Sequence, residues 1–185
     1  MIILETPRLA FRHFTEADLP ELAALYADPD VRRYFPSGTL SLAETREELD
    51  WHLRAARDGE RLGLWATVCR DTGALIGRCG LIAWTIDGRP EVEVAYLIAR
   101  QHWGQGLGTE AAGALVSHGF DVLGRDRLIA LIDKDNAASR RTAAKAGLHF
   151  ERQVQIEGTP AELFVIEKPS RAQEPHEGRI GRSFS

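Results

Sequence analysis

The chain has 185 residues, 44% of them hydrophobic and 27% charged, with a formal net charge of −4. That length holds one domain with a full core rather than two, and the composition is that of a globular protein, not a disordered, fibrous or membrane one. The 23 basic residues are scattered singly among 27 acidic ones, so no nucleic-acid footprint is present; apolar runs are short, and Met1-Ile2-Ile3-Leu4-Glu5 lacks the features of a signal peptide. A cytoplasmic protein with no nucleic-acid or membrane partner is expected.

Ile3 to Phe14, with Leu9 and Phe11 on one parity, reads as a first strand. Thr15-x-x-Asp18 has capping-box spacing and opens a helix with Leu19, Leu22, Ala23 and Tyr26 on its periodicity, ending at Asp28-Pro29. Ser41-x-x-Glu44 is a second capping box, followed by Leu42, Leu49, Leu53 and Ala56 up to Gly59. Leu64 to Arg70, Ala74 to Trp84 and Glu91 to Ala99 then read as three antiparallel strands joined by turns at Asp71-Thr72-Gly73 and Ile86-Asp87-Gly88. Cys69 and Cys79 fall in two of these strands and read as buried thiols, since two cysteines make neither a disulfide framework nor a zinc site.

Gly106 to Leu123 has the apolar spacing of an amphipathic helix, Leu128 to Ile132 is a short buried strand, and Asn136 to Ala146 is a further helix. Phe150 to Glu157 and Leu163 to Glu167 make a last hairpin around Gly158-Thr159-Pro160. The expected order is βααβββαβαββ, a mixed α/β domain over residues 1–168 with about seven strands and four helices. Residues 169–185 are nearly devoid of apolar side chains and read as a disordered tail.

The segment with the sharpest chemical meaning is Trp103-Gly104-Gln105-Gly106-Leu107-Gly108-Thr109, placed between a strand and a helix. Unpaired amides at a helix N-terminus hold phosphate or pyrophosphate, and glycine lets the ligand come close. No Gly-Lys-Ser/Thr triplet ends the segment, which excludes a Walker loop. Gly106-x-Gly108-x-x-Ala111 with Asp126 matches a relaxed dinucleotide fingerprint, but the preceding strands read as an antiparallel meander and not as a βαβ half.

The segment resembles the phosphate loop of the GNAT superfamily of N-acetyltransferases, Gln/Arg-x-x-Gly-x-Gly/Ala, with Trp103 at the Gln/Arg position and Gly106 and Gly108 in place. An aromatic residue followed by glycine is similar to the Rim-type branch, named for acetylation of ribosomal-protein N-termini. Thr6-Pro7-Arg8-Leu9, Asp71-Thr72-Gly73 to Gly77, Glu93-Val94-Ala95-Tyr96, Asn136-x-x-Ser139 and Lys145-Ala146-Gly147-Leu148 follow the branch pattern in order. The resemblance implies a GNAT-like fold with a central, mostly antiparallel twisted sheet, acetyl-CoA as co-substrate, no metal, and an amine acceptor that is a protein N-terminus or a small molecule, in a monomer or homodimer. It implies that Gly104, Gln105, Gly106, Leu107, Gly108 and Thr109 hold the pyrophosphate. It places the backbone of Leu97, Ile98 and Ala99 against the pantetheine arm, exposed by a bulge, and Asn136 and Ser139 beside the arm and the sulfur.

Amide formation from a thioester needs a neutral amine, a polarised carbonyl and a proton for the thiolate. An α-amino group of pKa about 8 is roughly one-tenth neutral at pH 7, whereas a lysine amine of pKa about 10.4 is neutral in roughly one molecule of 2,500. Glu91 and Glu93, two apart on one strand face, supply a base or a cation-attracting pair, with Glu93 preferred; a pair of solvated carboxylates is the alternative. His52 and His102 are other bases. Ser139 is a candidate acid, because the tyrosine used by many relatives is absent from its helix, whose long side chains are Arg140, Arg141 and Lys145. The acceptor pocket is expected from Val31 to Leu40 and the flanking helices, with Tyr34, Phe35 and Trp51 as walls and Glu91 beside them. A non-catalytic acyl-CoA sensor and a nicotinamide-dependent oxidoreductase are the competing functions.

Overall fold

The computed structural model describes residues 2–57 and 61–169. Gly59, the expected cap of the second helix, and the tail from Ser170 onward lie outside them. The elements are β1 (Ile2–Glu5), β2 (Leu9–Arg12), α1 (Leu19–Ala27), α2 (Leu42–Arg57), β3 (Gly63–Cys69), β4 (Leu75–Ile86), β5 (Arg89–Ile98), α3 (Leu107–Asp121), β6 (Arg127–Ile132), α4 (Ala137–Lys145), β7 (His149–Ile156) and β8 (Thr159–Glu167). They form one eight-stranded sheet in the order β1-β2-β3-β4-β5-β6-β8-β7.

The eighth strand corrects the sequence reading. Ile3 to Phe14 is not one strand, because Thr6 reverses the chain: its N–H donates to Leu9 O (2.8 Å) and its Oγ1 accepts from the Leu9 N–H (2.9 Å). Pro7 in the turn cannot continue a ladder. The two halves pair with each other, Leu4 against Phe11 and Glu5 against Ala10.

Both predicted capping boxes form. The Thr15 N–H donates to Asp18 Oδ2 (2.7 Å) and Arg12 grips the same carboxylate with two nitrogens at 2.7 Å each. At α2 the Ser41 N–H and hydroxyl both donate to Glu44 Oε2 at 2.7 Å. Strand alternation divides the core between the two sheet faces. Trp65, Val94 and Ile98 pack with Leu107, Ala111 and Leu115 of α3, and Ala66, Leu97 and Ala99 pack with Leu22, Leu25 and Tyr26 of α1 and Leu49 of α2. Cys79 is fully buried and its thiol is pushed up to about 11 by desolvation, whereas Cys69 is partly exposed at its strand end.

β3, β4 and β5 form the expected antiparallel meander. It rules out the dinucleotide-binding half. β5 and β6 are the sheet's parallel pair, and they meet through one register position, Glu93 opposite Ile129. Beyond it the strands part, while β6 stays paired with β8 along its whole length, from Arg127↔Glu167 to Ile132↔Glu162. This split positions the site. Among the described residues no helix is long and apolar enough to cross a membrane.

Candidate active site

A cleft of about 560 Å³ opens where β5 and β6 separate. Its walls are Val31, Tyr34, Phe35 and Pro36 from the α1–α2 connection; Arg78, Ile82 and Trp84 from β4; Glu93 to Leu97 from β5; Ala130 to Asp133 after the split; and Asn136 and Ser139 of α4. The tip of the β7–β8 hairpin closes one end.

Glu93 sits at the apex of the split. Trp84 Nε1–H donates to its Oε2 at 2.6 Å, and the backbone N–H of Leu131 reaches the same carboxylate. Burial raises the Glu93 carboxyl above its ordinary value, because desolvation outweighs these donors and the nearby Arg78 charge. A partly buried carboxylate with raised affinity for a proton has the chemistry to accept one from an ammonium.

Glu91 shares that strand face but not the cleft. It is buried under Arg127, whose Nε lies 3.2 Å from Oε1, and Arg89, 3.4 Å from the same oxygen. It is a structural ion-pair residue, and its expected place in the substrate pocket is corrected accordingly. Trp51 is also misplaced by the sequence reading: it lies on the outer side of α2, half exposed, with its ring edge on His52 at 5.1 Å. Tyr34 and Phe35 line the cleft, and the Tyr34 hydroxyl donates to Asp135 O at 3.1 Å. His102 stays partly exposed outside the cleft, whereas His52 is buried, stacked on Phe14 at 4.9 Å.

The exposed edge of β5 arises from the split and not from a bulge. The β4–β5 register runs unshifted from Ile86↔Arg89 to Gly77↔Ile98. Ala99 N–H donates to Ile76 O at 2.7 Å. Antiparallel alternation therefore points the Leu97 and Ala99 amides at β4 and turns the backbone groups of Tyr96 and Ile98 toward the open edge. This corrects the expectation for the Leu97 and Ala99 backbone, although the Leu97 side chain lines the cleft. Ile98 O accepts from Trp103 Nε1–H at 2.7 Å, so the aromatic residue that departs from the usual phosphate-loop pattern ties the loop to the strand.

The glycine loop continues from this edge. Gly104 and Gly106 have φ of 75° and 78°, left-handed values that favour glycine. Gly106 is the N-cap of α3, and the first helical bond runs from Glu110 N–H to its carbonyl at 3.0 Å. The amides of Leu107, Gly108 and Thr109 precede that bond and face out of the helix end. The β1–β2 turn holds the loop from outside, with Arg8 donating from Nη1 to Gln105 O (2.8 Å) and from Nε to Glu110 Oε2 (2.6 Å), and Thr6 Oγ1–H donating to Glu110 Oε1 (2.6 Å). Burial disfavours the Glu110 carboxylate, but Thr6 and Arg8 outweigh it and hold its carboxyl below the ordinary range. Local sequence marks Arg8 only through the Thr6-Pro7-Arg8-Leu9 motif and gives no signal for Glu110.

Across the cleft, Asn136 caps α4 by accepting from Ser139 N–H at 3.0 Å. Tyr96 was also overlooked: its hydroxyl donates to Ser139 O at 3.0 Å. A tyrosine therefore stands beside α4, supplied by a strand. Arg140 pairs with Glu162 at 3.2 Å, while Arg141 and Lys145 are exposed. No cluster of three or more His, Cys, Asp or Glu side chains is placed to hold a metal among the described residues.

A second polar group lies beside Phe35, under that wall of the cleft. Tyr26 hydroxyl donates to Glu48 Oε1 at 2.6 Å, His52 Nε2 stands 3.5 Å from that oxygen and Arg78 Nε 3.9 Å. Burial opposes ionisation of Glu48, but His52, Arg78 and Tyr26 outweigh it and hold the carboxyl down at about 2. The His52 nitrogen lacks hydrogen-bond geometry, so the Arg78 charge and the Tyr26 hydroxyl are the firmer causes. A depressed carboxyl stabilises the fold above its unfolded pKa, about 4.5, and that stability is lost as pH falls toward 2. Thermal unfolding followed from pH 6 to pH 2 is expected to show about 2–3 kcal/mol of such loss from this group.

A profile of the acetyltransferase (GNAT) domain matches residues 8–149. The chain belongs to the GNAT acetyltransferase family. The curated N-acetyltransferase YoaA of Bacillus subtilis, itself uncharacterised, is 33% identical over 173 residues, 90% of this chain and 97% of that protein. The crystal structure of a GNAT-family acetyltransferase from Bacillus anthracis superposes with a TM-score of 0.78 at 21% identity, covering 90% of this chain and 98% of that one. RimL, a ribosomal alpha-N-protein acetyltransferase solved in complex with coenzyme A, superposes with a TM-score of 0.73 at 18% identity over 90% of this GNAT chain and 98% of its own.

Proposed function

We propose that this GNAT protein transfers the acetyl group of acetyl-CoA directly to a primary amine, with Glu93 as base. The observation that carries the proposal is the β5–β6 split: one cleft joins a partly buried carboxylate to an open strand edge, and the glycine-capped helix end follows from that edge through the Trp103–Ile98 bond. The loop Gly104 to Thr109 receives the pyrophosphate on the free amides of α3. The exposed backbone of Tyr96 and Ile98 pairs with the pantetheine arm, and the N–H of Tyr96 polarises the thioester carbonyl.

Glu93 takes one proton from the ammonium, the freed nitrogen lone pair attacks the carbonyl carbon, and the tetrahedral intermediate collapses with cleavage of the carbon–sulfur bond and loss of the nitrogen's second proton, which replaces the one that Ser139 gives to the thiolate. Ser139 returns a proton to the thiolate; Tyr96, whose hydroxyl touches the Ser139 backbone, is the second donor on that side. Trp103-Gly104, Asn136-x-x-Ser139 and Lys145-x-Gly147 support a place in the Rim-type branch, whose acceptors are protein N-termini; a small amine is the other acceptor class.

The test is CoA thiol release from acetyl-CoA with a panel of N-terminal peptides, amino acids and polyamines. Amine-dependent release is expected, and CoA binding without release from any amine argues for the sensor instead. Gly106→Val forces a β-branched residue to φ near 78°. Isothermal titration of that variant is expected to show CoA affinity reduced about tenfold or more, because a non-glycine residue there costs about 1–2 kcal/mol or relocates the amides.

A further inference from the structure

Two guanidiniums are buried at the Phe35 side of the cleft around one carboxylate. Arg32 and Arg78 are both buried beside Tyr26 and Phe35, their guanidinium carbons 4.4 to 5.6 Å from the ring centroids. Glu48 is the carboxylate between them and already accepts from Tyr26. Arg32 is satisfied, donating to Gly38 O (2.7 Å) and Ser37 Oγ (2.6 Å). Arg78 is not. Its side chain is 9% exposed and its nearest carboxylate oxygen is 3.9 Å away, too far for a hydrogen bond. Its Nε is buried with no hydrogen-bond partner among the described residues, and the residue lines the cleft.

A buried guanidinium without a bonded anion is costly, and a planar fork of donors is shaped for carboxylate or phosphate. Arg78 lies opposite Leu97 in the β4–β5 register, and Ile82 opposite Glu93, so the arginine and the base share one sheet face four residues apart. That is about 13 Å between backbones, a span that the two side chains shorten.

We propose that the acceptor is a primary amine that also carries a carboxylate or phosphate, with its ammonium at Glu93 and its anionic group on Arg78. The assignment rests on the acetyl-transfer reading above and adds the acceptor's charge. The anion is placed on the acceptor and not on the acyl donor because Arg78 lines the cleft beside Phe35, on the sheet face opposite α3 and its phosphate loop.

The experiment has a binding arm and a turnover arm. The ¹⁵N-labelled protein with CoA is titrated with 4-aminobutyrate, glycine and O-phosphoethanolamine, and with their neutral counterparts 4-aminobutyramide, glycinamide and ethanolamine, while the arginine Nε–H signal lost in Arg78→Lys is followed. At least one anionic amine is expected to shift that signal at concentrations where its neutral counterpart does not. In turnover, kcat/KM for that amine is expected to exceed its counterpart's by about ten- to hundredfold, and Arg78→Met to abolish the difference. Equal response to charged and neutral members of every pair overturns the proposal, as does a shift produced by succinyl-CoA and by none of the amines. A shift with the anionic amine but no turnover of any amine upholds the anion site and removes acetyl transfer instead. The wild-type comparison stands even if Arg78→Met fails to fold.

Discussion

Glu93→Gln is expected to lower kcat for acetyl transfer by about 10²–10⁴ while leaving CoA affinity within a few-fold of wild type. The amide keeps an oxygen for the Trp84 Nε1–H and fills the same volume, so geometry survives and only proton acceptance is lost. The wild-type pH profile carries the same signature. Because burial raises the Glu93 carboxyl, the base is protonated and idle below a pKa higher than an ordinary glutamate's and active above it. The acid limb of kcat should therefore lie above the ordinary carboxylate range and vanish in the glutamine variant, whose residual rate depends only on the amine's own ionisation. A kcat within threefold of wild type would remove Glu93 from the mechanism.

The largest effect on stability is expected from Glu48→Gln. Arg32 and Arg78 are buried, and Glu48 is the anion set between them and Tyr26. Removing one partner from a buried charge cluster leaves the others uncompensated, and about 2–4 kcal/mol of unfolding free energy should go with it. Urea unfolding at pH 7 measures the loss. The variant should also show a flatter response between pH 4.5 and 2, since the group with the depressed carboxyl is gone. A change below 0.5 kcal/mol would mean that the two guanidiniums do not depend on this carboxylate.

Local signals were legible wherever the chemistry was local. The capping boxes at Thr15 and Ser41, the left-handed glycines before α3 and the Asn136 cap all form as their sequence patterns require. Glu93 was legible through strand parity, which puts it on one face with Glu91; parity does not reveal that Arg127, 36 residues later, covers Glu91 and leaves Glu93 free. Trp51 follows the same rule in reverse, since a helix of mixed polarity shows its aromatic residue without showing which way the helix faces. Tyr96, Arg78 and Arg8 escaped because their partners are remote: Ser139 lies 43 residues from Tyr96, and Gln105 lies 97 from Arg8. The break of the first strand at Thr6 was hidden for a related reason, because Ile3 to Phe14 is apolar enough for either one strand or two and only pairing with β3 decides.

The single register position joining β5 to β6 leaves the end of β5 with one unpaired edge inside the sheet. Backbone pairing is continuous within β1 to β5 and within β6-β8-β7, and the two halves join at Glu93 and Ile129 over the core they share with α3. The pantetheine arm proposed to lie along that edge would take the place of the missing neighbouring strand. In the proposed mechanism the arm that carries the thioester also supplies the strand-like backbone partner that β5 lacks beyond Glu93, so binding the donor completes the sheet at the point where the proposed base stands.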